Sequence, residues 1–132
     1  MEITPAAKHA SVIALTMALL MASCGDKAMQ HKNGRYTVNT TTIAPDVIGY
    51  NGPTPLLIHI SNDKVESIEV LENGESPSYF EPIEEELLIR WNGLTVNEAI
   101  NAEVDAVSGS TYSSEAVISN VRRGLRYYQS HK

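Results

Sequence analysis

Apolar and polar residues change rhythm several times along the chain, and each rhythm predicts an element. Leu56-Leu57-Ile58-His59-Ile60 and Val65-Glu66-Ser67-Ile68-Glu69-Val70-Leu71 flank the polar turn Ser61-Asn62-Asp63-Lys64. Two runs rich in β-branched residues around a short turn predict a β-hairpin, with Ile68 and Val70 on one face. Arg35-Tyr36-Thr37-Val38-Asn39-Thr40 has the composition of an earlier strand. Pro45, Gly49, Asn51-Gly52-Pro53 and Pro55 mark the loop between them.

The spacing then lengthens. Residues 80–91 carry Pro82 near their start and apolar Ile83, Leu87 and Leu88 at helical intervals. Glu84, Glu85 and Glu86 lie early in that run, where a helix dipole favours acids. Thr95-Val96-Asn97-Glu98 fits a capping box and opens a short helix through Ile100. Val104 to Val107 reads as a short strand. Ser113 or Ser114 caps a last helix whose apolar positions are Val117, Val121, Leu125 and Tyr128. Arg122, Arg123, Arg126 and Lys132 lie towards its C-terminal half; the two adjacent arginines read as a solvated face or a partner contact. The expected fold class is α+β: a small, curved antiparallel sheet with helices packed on it, in a single domain. The expected core is Ile58, Ile60, Ile68, Val70, Leu87, Leu88, Val117, Val121 and Leu125.

Composition narrows the function. Ten basic against sixteen acidic residues give a net charge of -6, which argues against a nucleic-acid binder needing a basic stripe. A single Cys excludes an internal disulfide and a thiolate metal cluster, and the four His at 9, 31, 59 and 131 have no ligand-like spacing. No metal site is expected.

The N-terminus differs from the rest. Lys8 and His9 precede an uncharged run, Ala10 to Ser23. At about 14 residues the run is shorter than the roughly 20 that span a bilayer, and a basic flank before it is the pattern of an export signal. It ends in Met21-Ala22-Ser23-Cys24-Gly25, which resembles a bacterial lipobox with Met21 in place of the usual Leu. The expected organisation is a lipoprotein signal at 1–23, lipid attachment at Cys24, a polar tether over 24–33, a domain over 34–128 and a tail over 129–132.

One segment is dense in chemistry: Asp105-Ala106-Val107-Ser108-Gly109-Ser110-Thr111-Tyr112-Ser113-Ser114. Gly109 permits a tight turn, hydroxyl side chains surround it, and a helix follows. Unpaired N–H groups at a helix start suit a phosphate. A polar turn whose serines merely cap the helix fits the same residues. It is not a P-loop, because no Gly-Lys-Ser/Thr closes it.

The segment resembles the signature of the FMN-binding domain family: Asp, two variable residues, Ser or Thr, Gly, Ala, then Thr. That domain occurs in flavin-bearing peripheral subunits of the sodium-pumping NADH:quinone reductase and the related Rnf complexes, and in small bacterial envelope lipoproteins. Ser110 stands where the family has Ala. Gly49-Tyr50-Asn51-Gly52-Pro53, Glu75-Ser76-Pro77 and Trp91-Asn92-Gly93-Leu94 are similar to further segments of the family in the same order.

The resemblance implies that Thr111 carries FMN through a phosphoester installed from FAD by a separate flavin transferase. Ser108, Gly109, Ser110, Ser113 and Ser114 would line the attachment. Asp105 would belong to the pattern the transferase reads, or serve as a turn acceptor. Tyr50, Trp91 and Tyr112 are candidates for the flavin ring, or core residues. Glu75 would approach the ligand from its loop, or stand solvated. Ser110 leaves covalent and noncovalent FMN both open.

The implied function is a lipid-anchored extracytoplasmic electron-transfer flavoprotein of a bacterial envelope, its donor and acceptor being proteins or quinones. No acid–base pair points to a self-sufficient enzyme. The alternatives are a non-redox flavin-binding or sensor module, and a structural envelope lipoprotein that has lost its ligand.

Overall fold

The computed structural model describes residues 28–132. The expected signal segment, Cys24 and the first residues of the expected tether lie outside the described residues. Four strands, β1 (Met29–Lys32), β2 (Arg35–Asn39), β3 (Leu56–Ser61) and β4 (Lys64–Val70), form one antiparallel sheet in sequence order. The expected hairpin is β3–β4, and Asn62 and Asp63 both take positive φ at its turn (53° and 59°).

A second hairpin replaces the end of the expected tether. Met29–Lys32 pairs with β2 around Asn33 (φ 54°) and Gly34 (φ 77°). Asn-Gly is a strong signal for a two-residue hairpin turn. The polar composition of β1 hid it, because three of its four residues are exposed on an edge strand.

Met29, Val38, Ile58 and Ile68 stand in one cross-strand row, and all four are buried. The pairing shifts between His59↔Ser67 and Ile60↔Val65, so Glu66 is an extra residue. This bulge turns Val65 inward beside Ile60, although it is three residues from Ile68 and strict alternation would face it outward. Glu66 bonds Arg35 at 3.0 Å and accepts from the Ser61 hydroxyl at 2.8 Å.

Three helices pack on the sheet. The first, α1 (Pro77–Pro82), has Pro77 in its first turn and continues through a wide turn at Ile83–Leu87 and a tight one at Leu88–Trp91. The sequence expects one helix over 80–91. It starts earlier because proline suits a first helical turn, and it changes width beyond Pro82, which has no N–H to continue the ladder. The capping box at Thr95 is present in both directions and starts α2 (Val96–Asn101).

The last helix, α3 (Thr111–His131), crosses the inner face of the sheet. It begins ahead of the expected cap at Ser113 or Ser114, with Ser110 at the N-cap position, and runs into the expected tail as far as His131. Gly124 sits at the crossing: a Cβ there would lie 2.6 Å from Ile58 Cδ1 and 2.9 Å from Thr40 Cγ2. The C-terminal turn is tied down by Asp63, which accepts from the Tyr128 hydroxyl at 3.0 Å and pairs with Lys132 at 3.2 Å.

Val104 to Val107 is not a strand. The Val107 N–H donates to Ser114 Oγ at 3.0 Å instead of a ladder. The expected core residues are buried, apart from Val70, which packs half-buried against the cluster. Arg123 forms a two-bond pair with Asp46, and Arg122 donates to the Ala102 carbonyl. Both arginines therefore hold loops to α3.

Candidate functional site

The hydroxyl-rich segment lies at the start of α3. Ser110 N–H bonds the Val107 carbonyl at 3.0 Å, closing a turn whose third residue, Gly109, has φ 85°. A side chain at that position would be strained, so glycine is what lets the chain turn tightly into the helix. Ser110 occupies the N-cap position but makes no side-chain cap bond. The first turn of α3 carries no acidic residue either. No cap bond or acid of α3 itself therefore compensates its N–H groups and positive dipole end, and the one carboxylate that reaches this turn, Glu75, does so through the Ser113 hydroxyl.

The hydroxyls divide sharply by environment. Ser110 is buried and donates to the Tyr79 carbonyl at 2.7 Å. Ser113 is buried and donates to Glu75 Oε1 at 2.6 Å. Ser114 is fully buried and accepts from Val107 N–H. Ser108 and Thr111 are exposed, and among the described residues neither hydroxyl has a hydrogen-bond partner. Of these two, Thr111 is the one that lines the adjoining cleft.

That cleft, of about 140 Å³, is lined by Gly109, Ser110, Thr111, Tyr112 and Ser113 on one side and by Tyr50 and Tyr79 on the other. The Tyr50 and Tyr79 ring centroids are 6.3 Å apart and tilted by 33°. Tyr50 is 69% exposed, Tyr79 54% and Tyr112 71%. Large aromatic surface left in water around one concavity points to a ligand. Tyr79 is missing from the sequence-derived set. Its neighbour Phe80 is buried, and sequence alone does not say which member of an adjacent aromatic pair faces outward.

Glu75 is buried beneath this cleft rather than solvated on its loop. Its Oε1 accepts from Tyr50 N–H (2.9 Å) and Ser113 (2.6 Å), and its Oε2 accepts from Asn51 N–H (2.6 Å). One side chain thus joins the Tyr50 loop, its own loop and α3. Gly49 is required beside it, because a Cβ there would meet Glu75 Oε1 at 2.3 Å.

The fold therefore brings Tyr50, Gly109, Ser110, Thr111, Tyr112 and Ser113 to one cleft, with Glu75 supporting it from below. Asp105 and Ser108 are exposed on the approach to α3 and do not line the cleft. Trp91 is buried in the core, so it takes the structural one of its two readings. Among the described residues there is no group of three metal-ligating side chains, and no helix is long and apolar enough to cross a membrane. The family model described as FMN-binding domain matches residues 49–126. No solved structure matches the chain.

Proposed function

The chain belongs to the FMN-binding domain family and is therefore an FMN-binding protein, and we propose that it carries FMN covalently on Thr111 and transfers electrons at the cell envelope. The observation that carries the attachment is the contrast among the hydroxyls at the head of α3. Ser110, Ser113 and Ser114 are buried and bonded, while Thr111 is exposed, without a partner among the described residues and on the cleft wall.

The cleft fits the group in three respects. Uncapped N–H groups at the start of α3 suit a phosphodiester. Tyr50, Tyr79 and Tyr112 offer flat apolar faces to an isoalloxazine ring. Glu75 fixes the spacing of the two walls. In the loading step Thr111 Oγ1 attacks the FMN-side phosphorus of FAD. The Oγ1–P bond forms as the pyrophosphate P–O bond breaks, AMP leaves, and the threonine proton passes to the flavin transferase. Once bound, FMN supplies one- and two-electron transfer, and the chain supplies attachment, orientation and surroundings.

Cys24 is the lipid attachment point in this reading. The segment 1–23 directs export, the Cys24 thiol displaces the headgroup phosphate of a membrane phospholipid to take its diacylglyceryl group as a thioether, and cleavage before Cys24 leaves the domain anchored on the extracytoplasmic side of a bacterial membrane. Its electron donor and acceptor are other proteins or quinones.

The test is production of the chain with and without a flavin transferase, followed by flavin fluorescence in a denaturing gel. Wild type should fluoresce only with the transferase. Thr111→Val, which keeps shape and loses the hydroxyl, should be dark. Fluorescence retained in Thr111→Val and lost in Ser110→Ala would move the attachment to Ser110. Flavin that denaturation releases from wild type would rule out the covalent link.

A further inference from the structure

The hydroxyl of Ser110 does something that an alanine at this position does not. A serine at an N-cap ordinarily accepts a bond from an N–H of the first helical turn. Here it makes no such bond and reaches instead to the carbonyl of Tyr79, 31 residues upstream, at 2.7 Å.

The reason that carbonyl is available lies in α1. In a continuous α-helix the Tyr79 carbonyl would accept from the N–H of Ile83. The Ile83 N–H bonds Phe80 instead, at the break next to Pro82, and Pro82 itself has no N–H. The Tyr79 carbonyl thereby loses its α-helical donor, and Ser110, itself only 8% exposed, takes its place. Phe80 is buried while the Tyr79 ring stands out over the cleft facing Tyr50. The bond therefore joins the backbone under one cleft wall to the residue next to Thr111 on the other.

We infer that Ser110 is a positioning residue: a latch that holds the Tyr79 ring in register with the flavin attached at its neighbour Thr111. The inference rests on the flavin reading above for its functional consequence, and on the Ser110–Tyr79 bond alone for its mechanical part. The latch acts through Tyr79 and has no part in the phosphoester. It also predicts that this second hydroxyl does not compete with Thr111 as acceptor, since it is buried and already donating.

The experiment compares wild type, Ser110→Ala, Ser110→Cys and Ser110→Thr in two preparations. Chain made with the transferase is read by flavin fluorescence before and after denaturation, because a tyrosine ring on a flavin quenches it. Per label carried, Ser110→Ala should lose native-state quenching, and Ser110→Thr should restore it. Ser110→Cys, with a weaker donor of similar size, should fall between.

Chain made without the transferase is read by limited chymotrypsin digestion, which cuts after tyrosine. Cutting after Tyr79 should be about fivefold faster in Ser110→Ala than in wild type, with other sites unchanged. Equal cutting in the two proteins would overturn the latch whatever the flavin does. Faster cutting with unchanged quenching would overturn its role towards the flavin. Faster cutting in a chain that takes up no flavin at all would support the latch and sink the flavin reading.

Discussion

Replacing Glu75 with Gln changes a single atom type in a place where the fold leaves little freedom. Both carboxylate oxygens accept, from Tyr50 N–H, Asn51 N–H and the Ser113 hydroxyl. With Oε1 retained as the amide oxygen, the new NH₂ faces the Asn51 N–H, a donor against a donor that were 2.6 Å apart as donor and acceptor. A buried donor left without a partner costs about 1–3 kcal/mol, and bonds to a neutral oxygen are weaker than bonds to a carboxylate. Part of this is recovered because the Tyr50 loop is at the surface and its N–H groups reach water when it lifts. The expected net loss is about 2–3 kcal/mol, or a fall in Tm of roughly 10 °C for a domain of this size. Thermal and urea unfolding of the chain with Ser113→Ala, Glu75→Gln and the double variant measures it. The two substitutions should be non-additive, since they share a bond. The Tyr50 wall should also loosen, lowering flavin quenching. A Glu75→Gln protein within about 0.5 kcal/mol of wild type, and additive with Ser113→Ala, would refute the claim that this carboxylate holds the cleft together.

Gly124→Ala should destabilise the domain by about 1–2 kcal/mol in urea unfolding, because overpacking against buried Ile58 and Thr40 outweighs the helix propensity gained; a more stable protein would mean that α3 lies farther from the sheet. Burial and the bond to Asp63 push the Tyr128 phenol up to about 12, against about 10 in the unfolded chain. A raised pKa contributes stability that is whole below the unfolded value and lost as pH rises through the folded one, so stability should decline from about pH 10 to 12. Tyr128→Phe should remove that decline, and an unchanged alkaline profile would count against it. Cys24→Ala should release the protein from membranes or leave an unprocessed precursor in cell fractionation, and a processed, membrane-bound variant would end the anchor reading.

Much of the framework was legible in the residues because its causes are local. The β3–β4 hairpin, the Thr95 capping box and the apolar stripe of α3 are written in short-range pattern, and so was the α+β class they add up to. The chemistry-bearing turn could be found for the same reason, since Gly109, the hydroxyls and a helix start are neighbours in sequence. Even the β1–β2 hairpin had its Asn33-Gly34 signal, outweighed by the polarity of an edge strand. Other features exist only across distance. Glu75 became a buried strut because three donors from positions 50, 51 and 113 converge on it, and no property of a turn acid foretells that. Tyr79 became a cleft wall because Phe80 took the core. The hydroxyls at 110, 111, 113 and 114 are chemically alike in sequence and differ only in what packs against them. Hydrogen-bond donors are assigned to acceptors by tertiary packing, which left Thr111 exposed and, among the described residues, unbonded, and committed the three serines beside it to the fold.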